Sequence, residues 1–248
     1  MSLPVHLVPT LTGVGIGAAV TVEGDEAHHA VAVRRLRVGE AVVLTDGAGA
    51  AVTGEVAETG KRVFTITVTE RTDTPEPTPR VTVVQALPKG ERGELAVEVL
   101  TEIGAARIVP WAASRSVAVW KGERAEKSLA KWRATAREAA KQARRAHFPE
   151  VTAMAATAEV AALIRNDAGV AVVLHEAGTQ RLGDVALAED VRDLLVVVGP
   201  EGGLSAEEIA VFEEAGAITV RLGAEVLRTS TAGVAAVGAL LSRTARWA

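Results

Sequence analysis

Apolar positions change rhythm once along the chain. Up to about residue 70, short runs rich in Val and Thr (5–8, 41–45, 51–56 and 63–69) are separated by Gly or Asp-Gly turns, the pattern of brief strands joined by tight connections. They predict a small β-barrel. One or two helical turns are expected over 26–36, carrying His28, His29, Arg34 and Arg35. Beyond residue 80, predominantly apolar, strand-like runs (81–86, 107–111, 170–174, 194–198 and 218–222) alternate with stretches of helical period. Strands apolar on both faces must be covered on both sides, which implies a largely parallel sheet with helices packed on it, an α/β fold.

The helical stretches can be delimited from their ends. Leu95, Val99 and Ile103 repeat at helical spacing and stop at Gly104. Ser205 with Glu208 forms a capping box before Ile209 and Phe212, with Gly216 as terminator. A third helix is expected over 129–146, with Leu129, Trp132, Ala136, Ala139 and Ala143 on one face, and a fourth, apolar on most sides, over 231–241. Between the two regimes lies Thr72-Asp73-Thr74-Pro75-Glu76-Pro77-Thr78-Pro79, whose alternate prolines favour an extended spacer. The expected organisation is therefore a first domain over 1–72, a linker over 73–79 and a second domain over 80–248.

Composition narrows the chemistry. In 248 residues, 48% hydrophobic content supplies a core, and the absence of Cys excludes disulfides, thiolate zinc sites, iron–sulfur clusters and a cysteine nucleophile. His28 and His29 are adjacent and point in different directions on a strand or a helix, so no shared metal is expected. No apolar run reaches the roughly 18 residues of a membrane span, and the N-terminus lacks a charged region leading into an apolar one. A cytoplasmic protein is expected. Aromatic residues are 3% with no Tyr, which argues against a broad base-stacking surface.

The formal charge of -4 conceals an asymmetry. Between Arg115 and His147 ten basic residues face three acidic ones, leaving the rest of the chain at -11. Such a segment fits a phosphate-backbone footprint, and it also fits a solvated helix face.

Three strand ends carry the candidate chemistry. The run 194–198 empties into Gly199-Pro200-Glu201-Gly202-Gly203-Leu204, directly before the capped helix. In open α/β sheets ligands gather at the carboxyl ends of strands, where glycines let the backbone approach them. The same glycines fit an ordinary strand-to-helix turn, and the loop matches neither the dinucleotide-binding G-x-G-x-x-G nor the P-loop pattern. The run 170–174 ends in His175-Glu176-Ala177-Gly178. The run 218–222 ends in Gly223, followed by Glu225-Val226-Leu227-Arg228-Thr229-Ser230-Thr231-Ala232. His175 alone fits a hydrogen-bonded structural role, and Arg228 alone fits a helix-start cap with an ion pair. Together, three such ends on one sheet edge form a crevice.

With these residues in view, the chain resembles the SPOUT methyltransferases that make N3-methyluridine in 16S rRNA. The likeness rests on Gly199-Pro200-Glu201-Gly202-Gly203-Leu204-Ser205, Leu222-Gly223 and Val226-Leu227-Arg228-Thr229. It extends through His28-His29, Arg35-Leu36-Arg37, Gln85-Ala86-Leu87-Pro88-Lys89-Gly90, Thr101-Glu102-Ile103-Gly104, Ser114-Arg115-Ser116-Val117 and Glu138-Ala139-Ala140 with Gln142 and Arg145. It departs from the family pattern at Val99, Lys141, Arg144 and Ser230. The resemblance implies a PUA-like RNA-binding barrel, a second domain threaded as a deep trefoil knot, a homodimer, and no metal or membrane. It implies S-adenosylmethionine held by Leu174, His175, Glu176, Gly199, Pro200, Glu201, Gly202, Gly203, Leu222, Gly223, Leu227, Arg228, Thr231 and Ala232. RNA contacts are expected from Arg34, Arg35, Lys89, Arg92, Arg115, Arg144 and Arg145.

Uracil N3 is mostly protonated near neutrality, so the reaction needs alignment and stabilisation of a developing anion. Arg228 and Glu201 are the expected catalytic pair: Arg228 beside a uracil oxygen, Glu201 orienting the loop or facing positive charge, with the proton acceptor open between Glu201 and His175. Two other functions compete: a ribose 2′-O-methyltransferase of the same superfamily, and a non-catalytic pre-rRNA-binding assembly factor.

Overall fold

The computed structural model describes residues 3–247, and the chain divides into two compact units, 1–76 with Lys141–Phe148, and Pro77–Ala140 with Pro149–Ala248. The first unit contains strands β1 (Val5–Leu7) and β2 (Ala19–Glu23), helix α1 (Gly24–His28), and strands β3 (Ala41–Thr45), β4 (Ala50–Thr59) and β5 (Val63–Asp73). They form a five-stranded sheet in the order β1-β3-β4-β5-β2, with β1 parallel to β3 and the other pairs antiparallel. Period-two alternation explains which faces meet: Val52 and Val56 of β4 and Phe64, Ile66 and Val68 of β5 turn into one core with Leu11, Val22, Leu36, Val42 and Leu44. Gly54 sits where the β4–β5 register shifts, and a Cβ there would stand 2.6 Å from the Thr67 carbonyl oxygen.

The helical turns expected over 26–36 are corrected: α1 starts two residues earlier and runs into a π-helical turn, His29–Val33, after which Arg35 adopts φ 57°. The segment 141–148 joins this unit although the sequence reading placed it in the second domain. It is stitched to the β3–β4 turn: Gly49 N–H donates to the Ala146 carbonyl at 3.0 Å, and Phe148 N–H to the Gly47 carbonyl at 2.8 Å. Close approach demands glycine here, because a Cβ on Gly47 would meet the Phe148 ring at 3.0 Å and one on Gly49 the His147 ring at 2.8 Å.

The second unit contains β6 (Arg80–Ala86), α2 (Arg92–Glu102), β7 (Arg107–Trp111), α3 (Glu123–Gln142, whose last two residues count with the first unit), β8 (Glu150–Val151), α4 (Thr157–Asp167), β9 (Val170–Leu174), β10 (Gln180–Arg181), β11 (Asp193–Val198), α5 (Ala206–Glu214), β12 (Ile218–Arg221) and α6 (Thr229–Leu241). Its seven strands run in the order β10-β12-β9-β11-β6-β7-β8, and every pair is parallel. The apolar positions of these strands serve two cores. Leu194, Val196 and Val198 of β11 face α2, α3 and α6, whereas Leu195 and Val197 face α4 and α5.

The chain lays down β9 first and then inserts β11 between β9 and β6. Helix α6 returns over this centre: a Cβ on Gly233 would lie 3.1 Å from Leu100 and 3.2 Å from Val198. Only Ala235 and Ala239 of α6 are exposed, so most of its apolar surface is covered within its own unit. Among the described residues no helix is long and apolar enough to cross a membrane.

Candidate active site

The carboxyl ends of β9, β11 and β12 border one cavity of about 480 Å³. Adjacent strand order brings them together, since β11 and β12 flank β9 on either side. After β9, His175 N–H donates to the Val220 carbonyl at 3.0 Å, and a Cβ on Gly178 would collide with the β12 backbone at 2.6 Å. The loop therefore lies flat on β12. Ala177 N–H donates to His175 Nδ1 at 3.2 Å, which orients the ring within the loop.

After β11, the Gly203 N–H closes a turn onto the Pro200 carbonyl at 2.9 Å, with Gly203 at φ 72°, a conformation that favours glycine. Gly202 permits contact with the loop after β7: a Cβ would stand 2.9 Å from the Arg115 carbonyl oxygen, and Arg115 donates to the Leu204 carbonyl at 3.3 Å. The Ser205–Glu208 capping box is present, and Glu208 does more than cap. Its buried carboxylate accepts from Ser205 N–H at 3.0 Å and from Ser114 N–H at 2.7 Å, fastening two loops together. The carboxyl of Glu207 beside it is held below the usual range by a backbone N–H, the Ser205 hydroxyl and the Arg115 charge, in that order, against the opposing effect of desolvation. Glu201 accepts from Lys89 N–H at 3.2 Å, which ties the glycine loop to the β6–α2 loop.

Arg228 is the N-cap residue of α6. Its carbonyl accepts from Thr231 N–H and Ala232 N–H at 2.9 Å each, while its exposed side chain makes no cap hydrogen bond and joins no ion pair among the described residues. The cap-and-ion-pair alternative thus keeps only its backbone half.

Of the residues expected around the cofactor, Leu174, His175, Glu176, Gly199, Pro200, Glu201, Gly202, Gly203, Leu222, Gly223, Leu227, Arg228 and Ala232 line this cavity. Thr231 does not; its hydroxyl turns back to the Arg228 carbonyl at 3.3 Å. Two residues expected to touch RNA, Arg92 and Arg115, line the same cavity, and Lys89 is held at its edge by Glu201. Arg34, Arg35, Arg144 and Arg145 belong to the first unit, with Arg144 in a left-handed conformation just past the end of α3.

The expected cofactor set left out Val198, Leu204, Arg221 and Ala224, and left out Glu225, Val226 and Thr229 although the sequence placed these three on the third strand end; it also missed the strut beneath them. Gln85, buried at the end of β6, donates from Nε2 to the Thr229 carbonyl at 3.2 Å and to the Ala86 carbonyl at 3.0 Å, pinning the start of α6. The available signal was a polar side chain next to the last position of a strand whose neighbouring positions, Val83, Val84 and Ala86, are apolar. Among the described residues no group of three or more His, Asp or Glu side chains is placed to hold a metal.

Comparison with known proteins gives this geometry its class. The family described as the RNA methyltransferase domain matches residues 74–241, and the RNA methyltransferase PUA domain matches 22–69. A ribosomal RNA small subunit methyltransferase E from Mycobacterium tuberculosis is 47% identical over 93% of this chain and 89% of its own length. One from Bacillus subtilis is 29% identical over 90% of each. The crystal structure of the Neisseria gonorrhoeae ribosomal RNA small subunit methyltransferase E bound to S-adenosyl methionine superposes with a TM-score of 0.86, at 26% identity over 98% of each chain. The fold is thus that of an RNA methyltransferase. The chain belongs to the ribosomal RNA small subunit methyltransferase E family.

Proposed function

We propose that this protein transfers a methyl group from S-adenosylmethionine to N3 of a uridine in the RNA of the small ribosomal subunit, in the cytoplasm. The strongest support is the position of Arg228, an unpaired guanidinium at a cleft built by three strand ends. The cleft suits the cofactor. Its volume of about 480 Å³ falls within the roughly 300–1,000 Å³ of small-molecule sites. Leu174, Leu222, Leu227 and Ala232 offer an apolar wall for an adenine ring, the glycine turn offers backbone groups, and Glu176, Glu201 and Glu225 offer carboxylates to a cation. The bound cofactor supplies an electrophilic methyl on a sulfonium.

The chain's own residues then have distinct tasks. Arg228 stabilises the charge that develops on a uracil oxygen as N3 loses its proton. Glu201 accepts that proton: one carboxylate oxygen is engaged by Lys89 N–H, and the other remains an acceptor. His175 is set up as a donor, because Nδ1 already accepts from Ala177 N–H. The target uridine enters unpaired or flipped, since N3 lies on the pairing edge. Arg34, Arg35, Lys89, Arg92, Arg115, Arg144 and Arg145 contact the RNA backbone. The first unit acts as a PUA-like barrel, and the second as a SPOUT domain whose α6 completes a trefoil knot. A second copy pairs with the first to form a homodimer, covering exposed apolar residues such as Leu95 of α2 and Val226 of the cleft rim.

Arg228→Ala is expected to lower turnover about 100- to 1,000-fold while S-adenosylmethionine affinity, measured by calorimetry, changes little. Equal loss in both quantities contradicts the role given to Arg228.

A further inference from the structure

A second cavity, of about 280 Å³, lies beside the cleft at the start of α2. Arg92 lines the cleft, whereas Gly90, Glu91 and Gly93 line this neighbour, together with Trp120, Trp132, Arg124 and Lys131. We propose that it is a subsite for one nucleotide of the substrate RNA next to the methylated one, with the base against Trp120 and the phosphate at Arg124. This rests on the reading of the cleft as an RNA methyltransferase site.

Several observations point to a base. The protein has no Tyr, four Trp and three Phe, yet two of those rings meet in this one cavity. Trp120 and Trp132 stand edge to face, with centroids 5.0 Å apart and planes at 80°. Trp132 is buried, so it fixes Trp120, which is only partly buried and keeps surface for a ligand. Space for the pair comes from Gly93, where a Cβ would stand 2.8 Å from Trp132 Nε1 and 3.0 Å from Cζ2. The cavity is smaller than the cleft and sized for one base rather than an entire cofactor.

The polar rim suits a ribonucleotide. Lys131 Nζ lies 3.1 Å from Glu94 Oε1, which neutralises that carboxylate. Glu91 remains as an acceptor for a ribose hydroxyl or an exocyclic amino group. Arg124, exposed and outside every ion pair among the described residues, remains as a cation for phosphate. A broad aromatic surface was excluded by composition; a single stacking position beside a basic helix was not. Base–indole stacking strengthens binding roughly 5- to 150-fold per base.

The probe is a fragment of small-subunit rRNA spanning the uridine that the wild-type protein methylates, with abasic sites introduced singly at the flanking positions. Trp120→Ala should weaken binding of the intact fragment about tenfold and raise KM, with cofactor affinity unchanged, and Trp120→Phe should restore most of the loss. One abasic position should weaken wild-type binding and have no further effect on Trp120→Ala, a non-additivity that a merely structural ring would not produce. Arg124→Ala should reduce the log–log salt slope by about 0.7–0.9. Wild-type binding indifferent to every abasic site overturns the subsite and leaves the cleft reading intact. Loss of affinity for assembled subunits but not for bare RNA also overturns it, in favour of a ribosomal protein as occupant. Absence of any methylated uridine with the wild-type protein defeats the cleft reading itself.

Discussion

Glu208 shows how one side chain carries both readable and unreadable information. Its spacing from Ser205 announced a capping box, because a Ser hydroxyl and a Glu three residues on satisfy each other's backbone donors. Its second bond, from Ser114 N–H, depends on the β7 loop arriving alongside, which no local spacing encodes. Gln85 is similar: its identity is visible in the sequence, while its partner at Thr229 lies 144 residues away. Removing the Glu208 carboxylate leaves the Ser114 and Ser205 N–H groups without an acceptor, next to the cleft-lining Arg115 and Leu204. Glu208→Ala is expected to cost about 1–3 kcal/mol of stability, read as a lower Tm, and to weaken cofactor binding through loosened loops. An unchanged Tm would show that the two loops are held by other means.

Elements with strong periodicity were legible and edge elements were not. The five apolar runs of the second unit appear as β6, β7, β9, β11 and β12, because burial on both faces writes itself into consecutive positions. The two-residue strands β8 and β10 are too short to carry any period. β2 was missed because three of its five residues are exposed at the sheet edge. α4 was missed although Val160, Ala161 and Ile164 form its buried face. α3 begins six residues before the expected 129 and stops at Gln142, where the chain turns to join the first unit.

That junction depends on charge as well as on glycine. Lys141 Nζ lies 3.0 Å from Glu26 Oε1, and His6 Nδ1 lies 3.5 Å from the same oxygen. Burial pushes the Glu26 carboxyl up, but hydrogen bonds from His6 and Lys141, the Lys141 charge and the Leu7 N–H outweigh it and hold it at about 2, below the ordinary 4.5. A carboxylate depressed by folding contributes stability that is fully present above its unfolded value and is lost as pH falls through the folded one. The first unit should therefore lose on the order of 3 kcal/mol between pH 4.5 and 2. In Glu26→Gln this share of the acid dependence should disappear and stability at neutral pH should fall. Thermal melts across that range decide it, and an unaltered acid limb in the variant would contradict the assignment.

At the scale of the whole molecule, a chain of net charge -4 gathers +7 between Arg115 and His147. That excess is divided: part lies on the second unit, including Arg115 in the cleft wall, and part on the first unit with Arg144 and Arg145. A charge count along the sequence sees the surplus but not its partition, which follows from where 141–148 packs. The parallel sheet, by contrast, fixes the position of the cleft. With β11 inserted between β9 and β6, the loops after β9, β11 and β12 have to emerge along one edge. The central claim is that this edge directs a methyl group onto a base nitrogen.

The most direct test is nucleoside mass analysis of small ribosomal subunits, taken from cells lacking the protein and incubated with it and isotope-labelled S-adenosylmethionine. Label in N3-methyluridine, absent when Arg228→Ala replaces the wild type, is the predicted result. Label in a 2′-O-methylated nucleoside, or none in RNA at all, would contradict it.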